Sequence, residues 1–324
     1  MMNISMNKAC NVQLGTVIKG KWHQNSYKIL KALGFGATGA VYLAESSSGL
    51  AALKLSENSM GVISEVNVLK RLAKVQGTSL GPYLIDVDDW HNHASGKVLP
   101  FYVMEYVKGE HLITFIKKKG TVWIDVLIIQ LLSNLELLHQ SGWVFGDLKP
   151  DNIIVTGPPP KIRCIDVGGT TIAGRSIKEF TEFFDRGYWE LGTRKAEPAY
   201  DLFAVAMIMI NAVFPKRFSK KGNGKEQLQQ IIHSHPYLKE RKHVLTKALF
   251  GSYSSASAMK KDLLHFPSAA TQQKRAAVQT KKQSAASRSS KHKRKKKGGG
   301  VLETFVIVVF LAVLYSVYVF AYLL

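Results

Sequence analysis

Val144-Phe145-Gly146-Asp147-Leu148-Lys149-Pro150-Asp151-Asn152-Ile153-Ile154-Val155 is the stretch from which the fold is read. Moving a phosphoryl group needs a carboxylate for the acceptor's proton, a cation for the charge in transit and a ligand for Mg²⁺. Asp147, Lys149 and Asn152 supply one of each within six residues. Ile153-Ile154-Val155 reads as a short strand that anchors them. A D-L-x-x-x-N string arises easily by chance. It carries weight only if the other parts of a phosphate site surround it in order.

Upstream, Tyr27-Lys28-Ile29-Leu30-Lys31-Ala32-Leu33 alternates as a strand does. Gly34-Phe35-Gly36-Ala37-Thr38-Gly39 follows, and Val41-Tyr42-Leu43 returns to β character. A G-x-G-x-x-G ahead of a helix would suggest a dinucleotide site. Between two strands it is either an ordinary hairpin turn or a loop whose N–H groups can approach phosphates without a Cβ in the way. Leu50 to Leu55 reads as the next strand and carries Lys54 among apolar neighbours. An unpaired ammonium there is costly, so Lys54 needs a partner unless it snorkels from an edge strand. Glu65 is the candidate, on a segment from Ile63 to Val75 with helical spacing of Val66, Leu69, Leu72 and Ala73, and Glu57 competes with it. Val98 to Val107 is a further strand, and His91 and His93 fall in the polar loop before it, where exposure explains them better than metal binding. Gly109-Glu110-His111-Leu112 opens a short helix. Thr121 to Gln140 is strongly helical, with a broad apolar face interrupted by Asp125 and Gln130. That pattern predicts a buried core helix rather than a membrane span.

Downstream, Gly157-Pro158-Pro159-Pro160 turns the chain into Ile162-Arg163-Cys164-Ile165, which delivers Asp166-Val167-Gly168 to the end of a strand. Gly loop, Lys, Glu, D-x-K-x-x-N and D-x-G now stand in one order, and together they resemble the Hanks-type (eukaryotic-like) protein kinases over about residues 27 to 265. The resemblance implies an α+β, bilobal protein-kinase-like fold, with a β-rich N-lobe, a helical C-lobe and ATP between them. In it Asp147 accepts the substrate hydroxyl proton and Lys149 offsets charge on the γ-phosphate. Asn152 and Asp166 hold Mg²⁺, with Mn²⁺ as the alternative. Gly34, Gly36, Gly39, Val41 and Ala52 enclose the nucleotide, and Lys54, fixed by Glu65, orients its α- and β-phosphates. Met104-Glu105-Tyr106-Val107 resembles the hinge, where Glu105 and Val107 receive the adenine through backbone groups. Protein substrates are the implied partners. Asp201-Leu202-Phe203-Ala204-Val205-Ala206 resembles the buried helix whose Asp holds the catalytic loop by its N–H groups.

The chain also departs from the family pattern. Phe145 and Gly146 stand where His and Arg are usual, Val167 replaces Phe, and Ala196-Glu197-Pro198 replaces A-P-E. Ser252 stands where an Arg normally pairs with that Glu, so both halves of the ion pair are expected to be missing. Gly146 has no side chain to hold a phosphate, so phosphorylation at Thr170, Thr171, Ser176 or Thr181 is not expected to be obligatory. Two rival readings follow: a pseudokinase scaffold and a small-molecule kinase. The intact Lys54, Asp147, Asn152 and Asp166 weigh against the scaffold.

The chain of 324 residues, 46% hydrophobic, can hold one large domain or two ordinary ones. Cys10 and Cys164 are too few for a thiolate zinc cluster and suit a reducing compartment. The formal charge of +21 is uneven: 11 of the 44 Lys and Arg residues lie between Pro267 and Gly300, which hold no Asp or Glu. The expected organisation is an N-terminal extension over 1–26, a kinase domain over 27–266, a disordered basic juxtamembrane linker over 267–300 and a transmembrane tail anchor over 301–324. Met1 to Gly20 has no apolar run, so no cleavable signal peptide is expected. Phe305 to Leu324 gives 20 residues without charge, enough for a single transmembrane helix. Lys291 to Lys297 on its N-terminal side predicts a single-pass protein of the cell membrane with a cytoplasmic kinase domain. This layout is similar to the small bacterial membrane kinases that lack an external sensor domain. The basic tract is expected to meet anionic membrane lipid. Through Lys274 to Lys297 it is also expected to bind double- or single-stranded DNA by phosphate contacts alone, since no aromatic residue stands there to stack on bases. Self-association is the last partner expectation, through DNA that gathers several copies.

Overall fold

Alternating apolar residues build a six-stranded antiparallel sheet at the N-terminal end of the chain. Its strands are β1 (Val17–Lys19), β2 (Ser26–Gly36), β3 (Gly39–Ser46), β4 (Gly49–Leu55), β5 (Leu84–Asn92) and β6 (Lys97–Glu105). They lie in the order β1-β2-β3-β4-β6-β5. The computed structural model describes residues 10–36, 39–74, 80–93 and 95–265, so the basic tract and the apolar tail lie outside the described residues. Tyr27 and Ile29 of β2, Tyr42 and Ala44 of β3, Leu53 and Leu55 of β4, and Phe101 and Val103 of β6 share one buried core. The period of two breaks in β2, where the register slips between Ile29 and Lys31 and again between Ala32 and Gly34. Beyond that point Lys31 to Gly36 are exposed, and the strand end arches over open space.

α1 (Ser59–Leu72) starts four residues before the expected Ile63, because the Asn58 side chain caps it by accepting from Gly61 N at 3.0 Å. Val62, Val66 and Leu69 bury one face, and Glu65 is carried into the core beside them. His91 is not in a loop. The β5–β6 ladder runs on to Asn92 opposite Lys97, so His91 lies in strand and only His93 in the turn.

The second lobe is helical. Glu110–His111 does not open a helix but forms β7, whose backbone pairs with Val155 and Ile154 of β9 (Ile153–Thr156). α2 (Leu112–Lys119) follows it. α3 (Val122–Gln140) is long and apolar enough to cross a membrane by length and composition. It packs instead against α4 (Pro198–Val213) and α8 (Ala256–Leu264), with Ile124, Leu127, Leu131, Leu135 and Leu138 buried. Its two polar interruptions have tertiary partners. Asp125 pairs with Arg241 at 2.5 Å, and Gln130 accepts from Ile162 N in β10 (Lys161–Cys164) at 3.1 Å. Every residue of α4 from Tyr200 to Ala212 is buried, which makes it the axis of this lobe. β8 (Trp143–Val144) pairs with β11 (Thr171–Ile172), while β10, β9 and β7 make a three-stranded sheet. α5 (Gly224–Ser234), α6 (Pro236–Glu240) and α7 (Lys242–Leu249) complete the helical set.

Candidate active site

The loop between β8 and β9 is built on one buried carboxylate. Asp201, with no exposed surface, accepts from Phe145 N at 2.8 Å, Gly146 N at 2.9 Å and His139 Nε2 at 2.8 Å. These bonds hold Asp147 just beyond, and Asn152 Nδ2 donates to the Asp147 carbonyl at 3.1 Å. Gly146 has φ +83°, and a Cβ there would sit 2.5 Å from the Gly169 carbonyl oxygen. The backbone itself excludes an Arg at this position. Phe145 and Val167, two further departures, are buried in the same core cluster.

Asp147 forms a salt bridge with Lys149. Thr181 Oγ1 donates to Asp147 Oδ1 and lies 3.1 Å from both that atom and Lys149 Nζ. Across the cleft, Lys54 Nζ contacts Glu65 at 2.8 and 2.6 Å, and Lys54 is only 6% exposed. It is therefore paired rather than snorkelling. Its rival partner Glu57 pairs with Lys97 at 2.7 Å instead. Tyr102 OH donates to Glu65 Oε2 at 2.5 Å, and burial together with that carboxylate pushes the phenol well above its ordinary pKa.

Between the lobes lies a cavity of about 530 Å³. Gly34, Gly36, Gly39, Val41, Ala52, Lys54, Glu105, Val107, Asn152 and Asp166 line it. Glu65, Asp147 and Lys149 are not part of this lining; Glu65 is bonded to Lys54, and Asp147 is joined to the lining residue Asn152 through its carbonyl. The three glycines differ. A Cβ at Gly34 or Gly36 would meet nothing within 4 Å, whereas at Gly39 (φ +140°) it would lie 2.0 Å from the Leu55 carbonyl. Gly39 is needed by the hairpin itself; the other two leave room for something outside the protein. Glu105 spends its side chain on Arg163 at 2.7 Å and its N–H on Tyr83 O at 2.9 Å, so its carbonyl is the group left for a ligand.

Four residues of the site escaped sequence reasoning. Tyr102 was within reach, because the strand register sets it directly opposite Lys54. Thr181, Glu179 and Arg163 had no local signal. Glu179 lies beside them: its Oε2, Asp166 Oδ1 and Glu65 Oε1 all lie within 3.5 Å of one point, the position a Cβ would take at Gly168. Burial first, then the charges of Asp166 and Glu65, raise the Glu179 pKa, against the opposing pull of Lys54. One expectation is overturned. Glu197 is not without an ion-pair partner: Arg186 reaches it at 2.8 Å, from within the segment that precedes α4. That guanidinium fills the space beside Gly251, next to Ser252, so a different Arg supplies the missing cation.

The family model described as "Protein kinase domain" matches residues 27–285. The chain belongs to the protein kinase family. It is 56% identical over 273 residues to the serine/threonine-protein kinase YabT of Bacillus subtilis, a match that covers 84% of this chain and 81% of that protein. It is 29% identical over 227 residues to the cell division control protein 2 homolog D of Antirrhinum majus, covering 63% and 70% of the two chains. A probable serine/threonine-protein kinase of Clostridium perfringens is 32% identical over 143 residues, 42% of this chain and 20% of that one. The kinase is thus a serine/threonine protein kinase of the Hanks type, with the β-rich and helical lobes of its family.

Proposed function

We propose that this kinase transfers the γ-phosphate of ATP to serine and threonine hydroxyls of proteins while anchored in a membrane by its C-terminal tail. The observation that carries the transfer reading is the convergence of Lys54, Asn152 and Asp166 on one cleft, with Asn152 bonded to the Asp147 carbonyl and Asp147 paired with Lys149. Among the described residues no group of three or more His, Cys, Asp and Glu could hold a metal ion. Mg²⁺ does not need one, since it keeps several waters and takes one or two protein groups plus phosphate oxygens. Asn152 and Asp166 fit that use, and among the described residues Asp166 Oδ1 accepts a hydrogen bond from Gly168 N alone, at 3.0 Å. A bound Mg²⁺ or Mn²⁺ would supply positive charge to the phosphates. Lys54, kept in place by Glu65 and Tyr102, supplies a second cation. Val41 and Ala52 close over the adenine, and the Glu105 carbonyl with the Val107 backbone accept its edge. Asp147 accepts the proton of the substrate hydroxyl, and Lys149 faces the charge on the moving phosphoryl group. Most of the rate then comes from positioning and fixed charge. Transfer of labelled phosphate from ATP to protein by the 1–266 fragment tests this, with Asp147→Asn as control. Equal labelling by the two proteins refutes it.

The tail and the tract extend the proposal. Phe305 to Leu324 supports anchoring by its length without charge, and Lys291 to Lys297 supports a cytoplasmic kinase domain and contact with anionic lipid. The tract of 11 cations supports DNA binding through phosphates, which would couple activity to DNA near the membrane and bring several copies together. With about 6 phosphates neutralised, log K falls with log salt at a slope of roughly −5. A salt titration of the 1–300 and 1–266 fragments on duplex DNA tests the assignment. Equal binding by both fragments refutes the tract as the DNA site, and recovery of the full chain in the soluble fraction refutes the anchor.

A further inference from the structure

We infer that Arg217 is a specificity-determining residue for an acidic side chain next to the phospho-acceptor, so that the protein substrates are acidic around the accepting serine or threonine. The inference rests on the transfer reading above and names its substrate class. Arg217 lies in the loop between α4 and α5, and residues 216–225, from that loop into the first turn of α5, hold five Lys and Arg and no Asp or Glu. It reaches back to the catalytic loop and pairs with Asp151. Its guanidinium carbon also stands 5.0 Å from the centre of the Phe184 ring. Both neighbours are joined to the acceptor site by short stretches of chain. Asp151 follows Asp147 by four residues, on the turn Pro150–Asn152. Phe184 follows by three residues Thr181, whose hydroxyl is bonded to Asp147 at 3.1 Å. A peptide that presents its hydroxyl to Asp147 must therefore pass this guanidinium.

The geometry leaves the cation usable. Asp151 engages Nη2 alone, and the side chain of Arg217 is 39% exposed. A guanidinium carries five N–H donors in a rigid fork, so a second carboxylate can take the free edge. A basic substrate residue would find the reverse, because Asp151, the nearby carboxylate able to receive it, already faces Arg217. Lys216 and Lys221 pair with no carboxylate among the described residues and add to the positive field on this side. A nucleic-acid surface fits less well. Lys220 is tied to Glu190 at 2.6 Å and Lys225 lies over the Phe250 ring, so the loop offers no continuous row of free cations to a phosphate backbone.

The test uses the full chain with ATP and Mg²⁺ and two peptides that differ only in flanks of Asp and Glu or of Lys. The readout is the ratio of kcat/KM for the acidic over the basic peptide, which cancels any general loss of folded enzyme. The ratio should be about tenfold in the wild type, a modest value suited to a partly exposed charge pair. Arg217→Glu should bring it to one or below, through KM for the acidic peptide. Arg217→Lys should keep it above one, and Asp151→Asn, which frees the guanidinium, should raise it. A wild-type ratio of one or less overturns the inference, as does an unchanged ratio in Arg217→Glu. Weaker duplex DNA binding by Arg217→Glu with an unchanged ratio overturns it in favour of a polyanion surface. Absence of label on either peptide and on the kinase itself overturns phosphoryl transfer, and the inference with it.

Discussion

Gly39 and Gly34 belong to one motif but answer to different constraints. Gly39 has no room for a Cβ beside the Leu55 carbonyl, while Gly34 faces open space. Gly39→Ala should therefore destabilise the N-lobe by about 1–3 kcal/mol through strain at positive φ. Gly34→Ala should leave the melting temperature within a degree or so and raise KM for ATP, since only a ligand would feel the methyl group. Thermal melts beside ATP titrations separate the two. Asp201 makes a second residue-scale case. Its carboxylate satisfies three donors, and Asp201→Asn keeps the size but offers one acceptor oxygen and two unwanted donors. Each buried donor left without a partner costs about 1–3 kcal/mol, so a loss of about 2–4 kcal/mol is expected. The denaturant midpoint checks it, and kcat should fall in parallel because the loop carrying Asp147 loses its anchor.

Among the elements, the segment that runs from Thr170 through β11 to α4 decides how Asp147 is presented. Thr170 is buried at 7% exposure, and Thr181 is bonded to Asp147 and Lys149. The four candidate phosphorylation positions are therefore not equivalent. Replacing Thr170, Thr171 and Ser176 with Ala should leave most of the rate, as the lack of a side chain at Gly146 predicts. Thr181→Ala should lower kcat by about tenfold, because Asp147 loses a hydrogen bond that orients it, and Thr181→Ser should restore the rate. Steady-state kinetics on the three proteins decide the matter. A Thr181→Ala enzyme of full rate would show that the contact has no part in turnover.

For the molecule as a whole, the segment ahead of β2 is tied to the far edge of the sheet by two carboxylates of β5. Asp86 accepts from His23 Nδ1 at 2.6 Å, Asn25 Nδ2 at 2.9 Å and Tyr27 OH at 2.7 Å. Asp88 accepts from the backbone N–H groups of Trp22 and His23. Burial alone would raise both carboxylates, yet these donors outweigh it and hold them below their ordinary 3.8. His23 moves the other way: the hydrogen bond and charge of Asp86 raise it above 6.5. The carboxylate contribution is complete above about pH 3.8 and is lost as pH falls through the depressed values. The His23 contribution is complete below pH 6.5 and is lost as pH rises through the raised value. The segment should be most tightly held between roughly pH 4 and 6.5. Hydrogen exchange of the Trp22 and His23 amides, corrected for intrinsic rates, should show protection falling on both sides. His23→Gln should remove the alkaline limb and leave the acid one.

What the sequence determined by itself was the chemistry that sits within single elements. The D-L-K-P-D-N string, the strand carrying Lys54, the Asp after β10 and the apolar helix around Asp201 are each legible, because residue type and spacing act over a few residues. Even the partner of Lys54 was nearly legible, since a buried cation demands a carboxylate and only Glu57 and Glu65 were within reach. Tertiary structure decided which of them it was, by setting α1 against β4 and β6. It also made His91 a strand residue and Glu110 the start of a ladder, both through pairing with chain that comes later. Thr181 on Asp147, Arg186 on Glu197 and Arg217 on Asp151 stand 34, 11 and 66 residues from their partners. Contacts of that kind depend on how the lobe packs around α4, and residue spacing carries no record of them.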